Sequence, residues 1–138
     1  MVLPEIGALI AAARRVQGEF SLGADFSAGG VAAAVRGRRG GLYTGICLDL
    51  ACGIGFCAEH AAIAEMLKDR ESEIDAIVAV GAGVIIAPCG RCRELMAQIN
   101  AANLDCRVVL AEDRVVALRT LLPEHWLDTI PGRTGRCT

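Results

Sequence analysis

Aromatic side chains are scarce in this chain: 4% of its residues, made up of one Trp, one Tyr and three Phe. That leaves no array of ring faces on which successive bases of a single strand would stack. A basic surplus is missing as well. Lys and Arg number 14 against 16 Asp and Glu, for a formal net charge of −2, whereas a nucleic-acid footprint needs a basic face. The densest basic stretch, Arg36, Arg38 and Arg39, is interrupted by glycine and reads as a solvated turn. No apolar run reaches the roughly 18 residues of a membrane-spanning helix. We therefore expect neither a nucleic-acid partner nor a membrane. The apolar stretch 6–13 is short, with Glu5 before it and Arg14-Arg15 after it, the reverse of a secretory leader. A reduced, cytoplasmic setting is the expectation, and there the seven cysteines serve as ligands or buried hydrophobes rather than disulfides.

What the chain has in quantity is small apolar mass. Hydrophobic residues make up 54%, above the usual range of about 45–50%. A chain of 138 residues reads as one domain, 1–138, and a domain that small cannot hide so much apolar side chain alone. We expect a large subunit interface and a homo-oligomer.

Residues 3–16 place apolar side chains at helical spacing and end in two arginines, suited to a helix C-terminus. Residues 31–35 read as a buried strand, 37–41 as a turn and 42–48 as the returning strand of a hairpin. A loop over 49–55 leads to a helix over 56–68, rich in alanine. Residues 74–80 form a β-branched central strand, 81–83 a turn, and 84–87 lead to Pro88, a helix-entry residue before a helix over 89–99. Strands over 106–111 and 115–118 and a helical turn over 119–122 follow. This order predicts an α/β fold: a mixed, partly parallel β-sheet covered by helices on both faces. Cys106 opens an apolar run and reads as a buried hydrophobe.

Two short blocks carry chemistry: Cys57-Ala58-Glu59-His60 and Pro88-Cys89-Gly90-Arg91-Cys92. Three thiolates suit Zn²⁺, and three protein ligands rather than four leave one coordination position open to water. Glu59, two residues from Cys57, is placed to move protons to and from that water. Cys89 and Cys92 are neighbours on one helix face, and helix N-termini favour thiolate. Cys89 follows Cys57 by 32 positions, room for a helix, a strand and a return. Consecutive parallel strands are expected to bring both helix starts to one end of the sheet. Zn²⁺ with three thiolates is net negative, so a cation drawing on the thiolates is expected nearby. Arg91, Arg93 and His60 are candidates, with Arg91, enclosed between two ligands, preferred. The backbone N–H of Ala58 or Cys89 is placed to steady developing charge. A redox pair or a structural zinc site is the rival reading of C-x-x-C, but neither needs Glu59.

These residues resemble the zinc-dependent cytidine deaminase family, whose small members carry C-A-E and P-C-x-x-C at similar separation. The resemblance covers roughly residues 31–126. It implies a three-layer sandwich, zinc on Cys57, Cys89 and Cys92, Glu59 as proton shuttle, a small-molecule substrate, and a homotetramer (a dimer being the simpler alternative). Leu121-Leu122-Pro123 followed by an aromatic resembles the family's C-terminal segment. That implies that Trp126 either reaches a neighbouring subunit's pocket or anchors the tail. Departures bear on substrate. Where the family pattern is G-x-N-x-E, with Asn and Glu on the ribose, this chain has Gly45-Ile46-Cys47-Leu48-Asp49. The family's base-stacking Phe aligns with Gly29, with Phe26 close but out of register, and His60 stands where Arg is common. Arg91 within P-C-G-R-C is similar to the blasticidin-S deaminase branch. The reaction implied is hydrolytic deamination of a cytidine-like aminopyrimidine nucleoside. The alternative is the same reaction on another amino-heterocycle, a nucleoside antibiotic or modified base.

Overall fold

Ile6, Leu9, Ile10 and Ala13 recur at i, i+3, i+4 and i+7, and in the computed structural model they are the buried stripe of α1 (Pro4–Val16). Pro4 sits at the helix entry, Glu5 in the first turn and Arg14 and Arg15 in the last, each suiting the helix dipole. The structure describes residues 3–131; the cysteine at position 137 and the ends of the 1–138 domain lie outside them.

After α1 come β1 (Phe20–Ser21), β2 (Ser27–Gly37), β3 (Leu42–Asp49), α2 (Ala58–Lys68), β4 (Ile74–Gly81), β5 (Val84–Ile86) and α3 (Gly90–Ile99). A 3-10 turn at Ala101–Asp105, β6 (Arg107–Ala111), β7 (Arg114–Ala117), the short α4 (Leu118–Leu121) and a 3-10 turn at Trp126–Thr129 complete the order. All strands join one seven-stranded sheet. β2 pairs antiparallel with both β3 and β4, β4 pairs parallel with β6, and β6 pairs antiparallel with β7.

Both faces of the sheet are covered, as the order of elements predicts. Ala32, Ala34, Ala76, Val78 and Val80 pack against α1, while Ala33, Val35, Ile77 and Ala79 pack against α2 and α3 with Ala62, Met66 and Met96. The period of two along β2 and β4 divides these residues between the faces. Small side chains allow close layers. At Gly45 of β3 an added Cβ would stand 2.4 Å from Ala62 N and 2.8 Å from Ala58 O. The first turn of α2 therefore rests directly on the β3 backbone, which only glycine permits there.

Several expectations are corrected. The first hairpin strand runs over Ser27–Gly37 rather than 31–35. Ser27, Gly29 and Gly30 are weak strand formers, but β3 pairs along its whole length and imposes the strand, with an irregularity between Ala28 and Ala32. The helix expected from 56 begins at Ala58, because Phe56 forms an antiparallel bridge to Leu48 and Cys57 is extended (φ −70°, ψ 152°) as N-cap. Residues 84–86 form β5, closing a tight hairpin on β4 through Ala82 (φ 50°) and Gly83 (φ 80°). The strands that precede the two cysteine blocks are not adjacent. β3 and β4 point the same way, but β2 lies between them, and β5 intervenes before α3.

Candidate active site

Cys57 is the N-cap of α2 and Cys89 the N-cap of α3. The bridge between Leu48 and Phe56 turns the chain back on the end of β3 and delivers Cys57. The β4–β5 hairpin returns the chain to Pro88 and delivers Cys89. Cys92, one turn into α3, points inward and is fully buried.

The three sulfurs meet. Cys57 Sγ lies 3.4 Å from Cys89 Sγ, and Cys89 Sγ lies 3.5 Å from Cys92 Sγ. All three lie within 4.8 Å of one another. Tetrahedral Zn–S bonds of about 2.3 Å imply sulfur separations of about 3.8 Å, so the trio suits a thiophilic ion in size and in donor chemistry. Without an ion, burial raises the Cys57 and Cys92 thiols. Burial also pushes Cys89 up, but the backbone N–H of Cys92 and the neighbouring sulfurs outweigh it, and its pKa is lowered. Binding a divalent cation as thiolates displaces the protons these thiols hold. Cys106, outside this group, is a buried thiol with its pKa pushed up to about 12 by burial.

Glu59 is 4% exposed. Burial raises its carboxyl pKa, opposed by its own backbone N–H and by the Cys92 thiol. An acid that gains protons more readily than usual, set beside the sulfurs, suits proton transfer.

Cys57, Ala58, Glu59, Cys89 and Arg91 line a cavity of about 550 Å³, which Cys47, Asp49, Val31 and Leu48 also line. Cys47 stands opposite the irregular stretch of β2. Its sulfur accepts from Val31 N–H at 3.2 Å and lies 3.9 Å from Asp49 Oδ2. Two candidates fall outside this cavity. Phe26 is exposed on the loop before β2. Trp126 is 58% exposed in the last 3-10 turn, its backbone N–H donating to Glu94 Oε1 at 2.9 Å. His60 shares a separate groove with Arg91, and burial together with the Arg91 charge lowers its pKa. Arg93 is held elsewhere: its guanidinium donates to Pro88 O at 2.8 Å and Leu121 O at 2.9 Å, clasping the entry of α3 to the end of α4.

Phe56 and Asp25 are among the lining residues that the sequence does not single out. Gly53 and Gly55 just before Phe56 were a usable signal, since they argue for extended chain rather than an early helix. Asp25 carries no local signal; a loop brings it in.

Neither a protein-family model nor a curated protein matches the sequence. Solved structures do. The cytidine deaminase from Burkholderia pseudomallei superposes with a TM-score of 0.70 at 31% identity, covering 87% of this chain and 98% of that one. The cytidine deaminase from Mycobacterium tuberculosis gives 0.74 at 25% identity, covering 88% and 97%. The Bacillus anthracis enzyme, at 20% identity and a TM-score of 0.69 over 88% and 89%, shares the fold. The sheet between two helical layers, the cysteine trio and these likenesses over nearly the whole of each partner lead to one assignment: the chain belongs to the cytidine deaminase family.

Proposed function

We propose that this chain hydrolytically deaminates a cytidine-like aminopyrimidine nucleoside, with Glu59 as the proton-transfer residue and Cys57, Cys89 and Cys92 as ligands of one Zn²⁺. The observation that carries the reading is the meeting of three sulfurs beside a cavity that Cys57, Cys89 and the buried carboxyl of Glu59 line. Zinc, when bound, acidifies water and so supplies a nucleophile near neutral pH. The rest falls to the chain. Glu59 Oε takes a proton from the attacking water and gives it to a ring nitrogen as the oxygen bonds to the amine-bearing carbon; it then takes the second proton from that oxygen and passes it to the amine, so that the C–N bond breaks and ammonia leaves. Burial shields Glu59 and Cys92 from bulk water, whereas Cys89 is exposed. The Ala58 N–H at the start of α2 faces developing negative charge, and Arg91 offsets the thiolates. Cys47 and Asp49 are the proposed contacts to the sugar or its replacement. Phe26 and Trp126 are not part of this chain's own cavity, so a role for either in binding requires a neighbouring subunit. The exposed Ile54, Val84 and Trp126 at 70%, 60% and 58% support a homo-oligomer, a tetramer or a dimer. No described helix is long and apolar enough to cross a membrane, and we place the activity in the cytoplasm.

The Cys47 contacts favour a second reading. Its sulfur is already committed to Val31 N–H and faces Asp49, leaving little to offer a ribose hydroxyl. The same reaction on an amino-heterocycle with another substituent, of the blasticidin-S kind, is therefore the alternative. Ammonia release from cytidine, deoxycytidine, cytosine and blasticidin S by the zinc-loaded protein separates the two. Efficient turnover of cytidine supports the first. Turnover of another member with silence on cytidine supports the second, and silence on all contradicts both.

A further inference from the structure

Charge in the cavity is lopsided. Three carboxylates line it, Asp25, Asp49 and Glu59, against one cation, Arg91. Glu59 is occupied with proton transfer on the reading above, and Arg91 is shared with the groove that holds His60 and Glu94. Zn²⁺ on three thiolates adds a further net negative charge. Asp25 and Asp49 have no ion pair among the described residues. Both are held in place nonetheless. Asp49 ends β3, with its Oδ2 3.9 Å from the fixed Cys47 sulfur. Asp25 rides on a loop braced from within: Leu22 N–H donates to Phe26 O at 2.9 Å, and Ser21 Oγ–H to Gly23 O at 2.7 Å. A cleft lined by one sign of charge focuses its field on whatever enters.

We propose that Asp25 and Asp49 make this cavity select its substrate by charge, favouring an amino-heterocycle with a cationic substituent over a neutral one and rejecting an anionic one. The inference rests on the deaminase reading of the same cavity and adds the class of substituent and the residue Asp25. Both carboxylates are exposed, so each contributes modestly and is screened by salt.

The test uses the zinc-loaded full chain and three compounds with the same reacting base: 5′-amino-5′-deoxycytidine, cytidine and cytidine 5′-monophosphate. At about 0.02 M salt, kcat/KM falls at least about fivefold at each step of that order, and the steps shrink towards one at about 0.5 M. Asp25→Asn combined with Asp49→Asn flattens the series. Equal values for the three compounds, a reversed order, or steps that survive high salt or the double variant would overturn the proposal. The salt series on the unaltered chain decides the matter even where the double variant does not fold. Cytidine turnover without charge preference sinks this inference alone. No ammonia from any compound removes the deaminase reading and this inference with it.

Discussion

The two ends of the cavity are built differently. At the proposed reacting end, Cys57, Glu59, Cys89 and Cys92 stand on the first turns of two helices that press on the sheet, with Glu59 and Cys92 buried. At the proposed recognition end, Asp49 is the last residue of an edge strand and Asp25 sits on a loop, both exposed. Rigid elements fix the groups whose positions the chemistry cannot relax, within fractions of an ångström. Loops and strand ends carry the groups that distinguish one substrate from another. On the proposed reading, the difference explains how this chain keeps the two cysteine blocks while carrying Cys47 and Asp49 where the pattern it resembles has Asn and Glu.

Changes at the reacting end are expected to be severe and specific. Glu59→Ala keeps zinc, because the sulfurs are untouched, and lowers kcat by at least about a thousandfold, as read by ammonia release alongside metal content. A variant that stayed active would break the contrast between the two ends. Gly45→Ala attacks the same end from beneath. Its Cβ would stand 2.4 Å from Ala62 N, so α2 must lift from β3. The expected cost is about 2 kcal/mol of stability with weakened zinc retention, measurable by thermal melting and by chelator competition. Unchanged stability and zinc retention would show that the close seat of α2 does not matter. The smallest effect belongs to the recognition end. Cys47→Ala removes the acceptor of Val31 N–H, costing about 1 kcal/mol, and raises KM about threefold with kcat kept. Cys47→Ser restores both the bond and KM, because a hydroxyl accepts and donates at the same place. A fall in kcat in either variant would erase the division between the two ends.

Legibility in the sequence follows the same division. Helical spacing in α1, β-branched residues in β4 and the two cysteine blocks are local patterns, and the layers follow from them. The cysteine trio was readable because helix starts and an i, i+3 spacing carry their geometry in the chain itself. The long β2 was not, since partners hold its glycine-containing first half as strand. The intervening β2 between β3 and β4 was not either, because strand order is set by tertiary pairing. Phe26 is the aromatic nearest the expected register in the sequence. The structure puts its neighbour Asp25 on the cavity instead, a matter of loop path that no periodicity records.

The central claim is that Cys57, Cys89 and Cys92 together hold one zinc ion. Elemental analysis of the purified chain beside Cys92→Ala tests it most directly. About one zinc per unaltered chain, bound by three thiolates, and a near-complete loss in the variant are expected. No stoichiometric metal in the unaltered protein, or full retention after Cys92→Ala, would contradict it.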